Sequence, residues 1–592
     1  MLTTWRDERL EQAVLNDINL DEPWALLERF SGLTRLSGGA DEAAAVDYIT
    51  GRLTSWGIPH VVHHPTCLIS LPGPAALRTL GTDGRTFSVK TASFSPSTNG
   101  EEVAGELVYI GGRQATGVDD LLGGRRKPVD QDLRGKIVMT EGLGLAARGV
   151  DLQGSGALAA LFINPGERIH EGITTTCWGS PDVDTLGRTP PVPILSINRS
   201  DGDALLAALE AGPVQVAFSN RVETSWRPIP VTVAEIAGSQ ASDEFVLFHG
   251  HLDSWHVGIG DNATGDATLL EIARVFHQHR DSLNRTIRVA WWSGHSHGRY
   301  AGSTWYADTF AQDLSENCVA HVNCDSPGCR WATEYRDVFW MAEAAELSKA
   351  AIRDVTGQEA TGARPPRAGD CSFNNLGIST FFMLSSTMPA ALAAEKGYYA
   401  VGGCGGNIEW HTEADTLDIA DRDNLLRDIR VYATVLLRTL NAPIHPLDYR
   451  ATVEEIERHL RRYQEAAGDG FDFSPSITAA RNLLLTLDNF YGQAEALTDS
   501  TADDPSVRRI NVGQRMLAKH LVTLGYVRGG RFRQDPAESQ PPLPDLAPAA
   551  ELAEVPPNSD RYHVVRTSLV RGQNQVSWTL RQAERRISWL LG

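Results

Sequence analysis

One short segment of the sequence carries three side chains that could bind a metal ion. The segment HLDSWHVGIGDNATG (251–265) follows an apolar stretch and contains His251, Asp253 and Asp261. An imidazole nitrogen together with carboxylate oxygens suits zinc and related divalent ions, whereas calcium would need more oxygens and a thiolate site more cysteines. The segment therefore predicts part of a divalent-metal site.

Two further ligand candidates lie later in the chain. Asp325 ends an apolar stretch in VNCDSPG, and His411 lies in EWHTEADTLD before a long amphipathic stretch. A single His or Asp in such a place is usually a loop or capping residue. Four of them at one sheet edge are harder to explain that way, so we predict a metal centre formed by His251, Asp261, Asp325 and His411. Asp253 lies two residues after His251, and we predict that its carboxylate orients this histidine rather than binding the metal itself.

The stretches that would position these residues alternate between two patterns. From residue 231, near-continuous apolar runs, typical of strands buried on both faces, are separated by segments with apolar residues three or four apart. This order predicts an α/β fold with a parallel or mixed sheet, in which sites gather at the carboxyl ends of the strands. The predicted strands are 244–250, 286–294, 318–325 and 377–384, and 421–442 is the helix that closes the domain.

Four regions are predicted along the chain. Residues 1–65 contain helices that pack on the catalytic sheet, and 66–230 contain short apolar runs broken by Gly, Pro and Asp, which indicates a β-rich insert. The α/β region follows at 231–445. Residues 446–592 have helical periodicity and are predicted to form a separate helical domain.

Composition narrows the class of protein. A chain of 592 residues is too long for one hydrophobic core, and a net charge of −20 argues against binding to nucleic acid. The first residues have no signal-peptide pattern, and no run of about 18 apolar residues occurs, so we expect a cytoplasmic protein without a membrane partner. Seven cysteines without CxxC spacing are typical of reduced thiols.

The site segments together resemble a known family. In order they read HLDSW, GDNATG, WWSGHSHGRYAGSTWYAD, NCDSPG and WHTEADTLD. This pattern resembles the zinc exopeptidase family that includes bacterial aminopeptidases, glutamate carboxypeptidase and the transferrin receptor, and the resemblance is strong over 231–445. The insert, with DLRGKIVMTEG, ALAALFINPG and PVPILSINRSDG, resembles a protease-associated domain, and the C-terminal helices resemble the family's dimerisation domain. The resemblance therefore implies a homodimer.

The resemblance also implies roles for the ligand candidates. His251 and Asp325 would bind one zinc ion, Asp261 would bridge two ions, and His411 would bind the second. Asp253 matches the carboxylate that orients a ligand histidine in this family. The implied cofactor is zinc, as one or two ions, with another divalent metal as the alternative.

The chain departs from the family at its third segment. The family has two adjacent glutamates there, a general base and a ligand of the second metal, whereas this chain has His295 and Ser296, followed by His297. The segment is also one residue longer. In one interpretation, one of the two histidines binds the second metal and the other transfers protons. In a second, a single metal activates water, and in a third the site is inactive and the protein is a binding scaffold.

Together these features predict a metal-dependent hydrolase that cleaves an amide or peptide bond in a small substrate. Asp253, His295 and His297 are the predicted catalytic residues. Arg299 is predicted to bind a substrate carboxylate and Tyr300 to support an oxyanion. Asp370 lies in a segment similar to the family's substrate-lining loop and is predicted to contact substrate. The alternatives are a non-catalytic binding or assembly protein of the same fold and a hydrolase of non-peptide amides.

Overall fold

Two large β-sheets, each associated with helices, dominate the structure. The computed structural model describes residues 2–81, 84–122, 129, 131–145, 152, 154–240 and 242–592. Among the helices in those ranges, none combines the length and the apolar character needed to cross a bilayer.

The first sheet has six strands, of which four are parallel. Its central strand, Phe245–His251, lies between Thr286–Trp292 and Cys318–Asn323 and runs parallel to both. Every residue of the central strand is buried, as the continuous apolar sequence predicts for a strand covered on both faces. The full strand order is His60–His63, Val231–Ile236, Thr286–Trp292, Phe245–His251, Cys318–Asn323 and Ser379–Phe381, with the first two strands antiparallel.

Helices cover this sheet and share one hydrophobic core with it. Leu26 and Phe30 of an N-terminal helix belong to the same buried cluster as Leu269 and Phe276, which lie on the helix that follows the central strand. The helices of the N-terminal and α/β regions are Glu8–Asp17, Asp21–Phe30, Ala40–Ser55, Thr264–Gln278, Ala301–Thr309, Ala311–Asn317, Ala345–Thr356, Ala390–Glu395 and Arg422–Asn441.

The second sheet has eight strands and lies between residues 66 and 228. Its own buried clusters, which include Leu161 and Phe218, are distinct from the core of the first sheet. The strand order is Thr86–Phe87, Thr66–Thr79, Val214–Pro228, Val103–Gly112, Lys136–Glu141, Ala159–Ile163, Ile194–Ile197 and Val89–Thr91. The described residues of this region also form the helices Val118–Leu122 and Arg199–Ala211.

Four long helices make up the C-terminal region. Their apolar faces, which include Leu483 and Leu569, join the core of the first sheet. The last helix begins at Asp560, where Ser559 caps it by accepting a hydrogen bond from the N–H of Tyr562. The helices are Tyr449–Ala467, Ser474–Glu495, Pro505–Tyr526 and Asp560–Leu591.

The prediction of an α/β fold with a mixed sheet and a helical C-terminal region is confirmed. The strands lie where the apolar runs predict them. Three of them are shorter at their carboxyl ends than predicted, whereas the central strand extends one residue further, to His251. The protease-associated type of the insert and the domain boundaries stay predictions.

The C-terminal helices dock closely on the first sheet at one glycine. Gly377 precedes the last strand with a φ of +75°, and a Cβ atom there would lie 2.4 Å from the Cα of Lys519 on the helix Pro505–Tyr526. A backbone atom cannot yield as a side chain does, so this position requires glycine for contact as well as for conformation.

We therefore expect Gly377→Ala to lower the apparent free energy of unfolding by about 3 kcal/mol, because it combines left-handed strain with a backbone clash. Gly357→Ala is the matched control, since Gly357 has a φ of +71° but nothing within 4 Å of the added Cβ. It should cost only about 1 kcal/mol. Urea denaturation of both variants measures the difference, and equal losses would contradict the proposed close contact.

Candidate metal centre

Three strand ends bring the ligand candidates together. His251 is the last residue of the central strand, Asp325 follows Cys318–Asn323, and His295 follows Thr286–Trp292. Since these three strands are neighbours and parallel, the residues that follow them meet at one edge of the sheet. The physical reason for the convergence is therefore the sheet order.

Asp261 lies between two imidazoles. Its Oδ1 atom is 2.9 Å from Nε2 of His251, and its Oδ2 atom is 3.0 Å from Nε2 of His411. Oδ2 of Asp325 is 3.9 Å from the same nitrogen of His251. All four side chains are buried. The structure thus brings together the four residues that the sequence predicts as metal ligands.

The backbone fixes the orientation of two of these imidazoles. Nδ1 of His251 is 2.9 Å from the carbonyl oxygen of Asp253, and Nδ1 of His411 is 3.1 Å from the carbonyl oxygen of Glu171 in the insert. A carbonyl only accepts, so each Nδ1 must carry the proton. Each Nε2 then has its lone pair free for a metal, which is the usual arrangement of a ligand histidine.

His295 has the same arrangement, with a carboxylate in place of the carbonyl. Its Nδ1 atom donates to Oδ2 of Asp370 at 2.6 Å, and Oδ1 of Asp370 accepts from the hydroxyl of Ser303. The ring is stacked on His251, with centroids 3.8 Å apart. One ligand atom each from His295, His251 and Asp325 lie within 4.8 Å of one another. His295 therefore joins the four predicted ligands.

The charges of this cluster fit a divalent cation. Burial, followed by the nearby charge of Asp261, raises the pKa of Asp325 to about 6. Among the described residues, no lysine or arginine forms an ion pair with either carboxylate. Two buried carboxylates facing imidazole nitrogens are costly without a positive charge between them, and this mixture of nitrogen and oxygen donors is the one that zinc binds. The residues therefore fit the implied zinc ion.

Asp253 holds the neighbouring loop and orients His251 only through its backbone. Its carboxylate is 3.9 Å from Nδ1 of His251, beyond hydrogen-bond distance, so the predicted carboxylate–imidazole bond is corrected to a carbonyl–imidazole bond. The carboxylate instead accepts from the N–H groups of His295 and Ser296 and from the hydroxyl of Ser37, at 2.8–3.0 Å. Asp253 thus fixes the segment that carries His295 and Ser296.

His297 lies apart from the metal ligands. It is fully buried, its Nδ1 atom is 3.0 Å from the hydroxyl of Ser37 and 3.4 Å from Oδ2 of Asp253, and its ring packs on Trp255. It does not line the cavity described below. The structure therefore separates the two histidines that the sequence leaves equivalent, and it brings only His295 to the ligand cluster.

Asp415 is a site residue that sequence reasoning missed. It resembles a helix cap, but Asp421 caps that helix by accepting from the N–H of Asn424. The carboxylate of Asp415 accepts instead from the N–H groups of Gly260 and Asp261, at 2.6 and 2.9 Å. Burial raises the pKa of Asp415 to about 7. Its position four residues after His411 was the signal that could have identified it.

A buried arginine supports the loop between His251 and Asp261. The guanidinium of Arg35 donates to the carbonyl oxygens of Leu252, Val257 and Gly258 at 2.8–2.9 Å. Nothing in the sequence around Arg35 indicates this role, because the contact joins residues more than 200 positions apart.

A cavity of about 100 Å³ opens beside the ligand cluster. Asp261, His295, Asp325 and His411 face it, and so do Arg299 and Tyr300, as predicted for substrate-binding residues. Asp370 is fully buried and lies behind His295, so the structure does not place it on the cavity wall. The apolar part of the wall comes from the insert, the α/β region and the C-terminal region: Leu121, Leu143, Ile173, Met383, Leu384, Trp410 and Ala537.

Replacing Asp415 by Ala should weaken zinc binding about 10- to 100-fold, because the backbone that carries Asp261 loses two hydrogen bonds. Asp418→Ala on the same loop is the matched control, since the Asp418 side chain is 64% exposed and pairs only with Arg330 and Thr416. Equilibrium dialysis with zinc compares the two. Equal affinities would show that Asp415 does not position Asp261.

Comparison with known proteins agrees with this geometry. Residues 232–436 match Peptidase family M28. The chain is 22% identical over 504 residues to a protein of Zea mays described as "Probable glutamate carboxypeptidase VP8", covering 74% of this chain and 69% of that one. It is 25% identical over 327 residues to mouse "Aminopeptidase NAALADL1", covering 50% of this chain and 44% of the mouse protein. The alignment therefore spans less than half of that relative.

Solved structures show the same fold. A peptidase M28 precursor from Shewanella amazonensis superposes with a TM-score of 0.56 at 20% identity, covering 74% of this chain and 97% of that one. An aminopeptidase from Aneurinibacillus sp. strain AM-1 gives a TM-score of 0.53 at 20% identity, covering 72% and 95%. At this identity the likeness extends to the fold alone. The segment that matches Peptidase family M28, residues 232–436, contains the ligand cluster.

Proposed function

We propose that the protein is a zinc-dependent hydrolase that cleaves an amide or peptide bond in a small substrate. The observation that carries the proposal is the convergence of three imidazoles and two carboxylates beside one cavity, each imidazole donating its Nδ1–H to a protein oxygen. The match to a peptidase family and relatives described as carboxypeptidases and aminopeptidases support the reaction class. The small cavity supports a small substrate.

In this proposal His295 replaces the glutamate ligand of the family. His251, His295 and Asp325 would hold the ion, and Asp261 would contribute the oxygen that faces His251. A second ion between Asp261 and His411 would have only two protein ligands, fewer than the three or four of ordinary zinc sites. We therefore propose a single zinc ion.

The protein residues around the ion have separable tasks. A bound zinc ion polarises a carbonyl and lowers the pKa of water enough to supply a nucleophile near neutral pH. Asp370 keeps Nδ1 of His295 protonated and its other nitrogen directed to the site. The apolar cavity wall excludes bulk water, which strengthens electrostatic interactions with a polarised substrate.

His295→Ala should reduce both zinc affinity and turnover at least 10-fold, because a ligand imidazole is lost. His295→Glu, which restores a carboxylate ligand, should retain more zinc than His295→Ala. His279→Ala is the control, since this imidazole pairs with Asp17 away from the site. Zinc content and hydrolysis of a panel of dipeptides and acylated amines measure the two effects, and loss of turnover without loss of zinc would argue against ligation by His295.

Removal of zinc by a chelator should lower the melting temperature by about 5 °C, and one equivalent of zinc should restore it, because an ion bound only to the folded state adds to stability. Asp261→Ala should show neither change. If zinc binds stoichiometrically and raises stability but no compound in the panel is hydrolysed, the protein is a binding scaffold and the proposed hydrolase activity is wrong.

A further inference from the structure

The active-site cavity contains one cation whose charge has no partner. Arg299 is the only lysine or arginine among the described residues that line it. Its guanidinium forms no hydrogen bond or ion pair with a described residue, and its Nε atom is buried without a partner. The nearest aromatic contact is the ring of Tyr300, with the guanidinium carbon 4.9 Å from the centroid. A buried N–H without an acceptor is costly, so it indicates a group that a ligand satisfies.

The backbone holds Arg299 firmly in this place. Arg299 and Tyr300 have φ angles of +48° and +70°, a conformation that non-glycine residues adopt only when their surroundings enforce it. The N–H of Gly179 in the insert donates to the carbonyl of Arg299 at 2.6 Å, and Trp178 stacks on Tyr300 at 4.2 Å. The guanidinium is therefore presented by a fixed segment that also carries His295.

The carboxylates on the cavity wall do not neutralise this arginine. Asp261 and Asp325 belong to the ligand cluster, and Asp120 forms a bidentate pair with Arg113. Glu538 already has a partner of its own. Outside the ligand cluster, the unneutralised charge among the described lining residues is thus positive.

We propose that Arg299 binds a free carboxylate of the substrate, so that the substrates are small N-acylated amino acids or dipeptides that present this group to the guanidinium. The inference rests on the proposed hydrolase function and specifies its substrate class. Arg299 lies four residues after His295, in the segment GHSHGRYAG. A planar guanidinium is suited to bidentate recognition of a carboxylate, and an aminopeptidase would instead require an acidic group for the substrate's amine. Hydrolysis adds water across the amide and yields a carboxylic acid and an amine.

A matched pair of substrates tests the proposal. For each N-acetyl amino acid, the carboxamide analogue has the same shape without the negative charge, and an amino acid anilide with a free amine represents aminopeptidase substrates. We expect wild-type kcat/KM to favour the acid over the carboxamide by about 10- to 100-fold, the usual effect of a charged hydrogen bond. Arg299→Gln should abolish this preference, and Arg299→Lys should keep part of it. Arg134→Gln, an exposed arginine of the insert, should keep all of it.

The outcomes separate this proposal from the proposed function. Equal turnover of acid and carboxamide, or preference for the free amine, would overturn the carboxylate assignment while leaving hydrolase activity intact. If wild-type protein hydrolyses none of the compounds, the proposed function fails, and calorimetric binding of the same pair to zinc-loaded protein still tests Arg299. Binding that prefers the acid in wild-type protein but not in Arg299→Gln supports carboxylate recognition, and binding without that preference overturns it.

Discussion

Asp261 and Asp325 are both buried at the carboxyl edge of the first sheet, and the surrounding contacts stabilise the two carboxylates there. Two carboxylates out of water repel each other and are poorly solvated. One oxygen of Asp261 faces the imidazole of His251, and the other faces that of His411. Backbone N–H groups of the loop that contains Asp261 donate to the carboxylate of Asp415. The arrangement leaves a place of concentrated negative charge that suits a divalent cation. Sheet order brings His251 and Asp325 to this edge, and the loop contacts hold Asp261 beside them.

Sequence reasoning predicts the parts of this site that depend on regular structure. Continuous apolar runs identify the parallel strands, because only strands covered on both faces have such runs. Ligands that directly follow a strand, such as His251 and Asp325, are then found by the rule that sites collect at carboxyl ends. The fold class and the candidates His251 and Asp325 depend on these two patterns, whereas Asp261 and His411 are loop residues whose predicted roles also come from the family resemblance.

The supporting contacts could not be predicted in the same way, because they join residues whose separation along the chain carries no periodic signal. Asp253 lies only two residues after His251, yet its carboxylate binds the loop of His295 and Ser296 and its carbonyl takes the orienting role. Spacing treats His295 and His297 alike, and only their contacts distinguish them: His295 pairs with Asp370, whereas His297 packs on Trp255. The carbonyl of Glu171 that orients His411 belongs to the insert, so no local sequence pattern indicates this contact.

The contact between His411 and Glu171 also bears on how the protein reaches its native state. The two residues are 240 positions apart and bond reciprocally, N–H to carbonyl and imidazole to carbonyl. Contacts between residues so far apart are expected late in folding, because closing a long loop lowers the chain entropy before the contact stabilises the structure. The insert must therefore have folded and docked before His411 can adopt its final orientation. Metal binding is then a sign that the insert has docked. A chain in which the insert has not docked would lack the geometry needed to retain zinc.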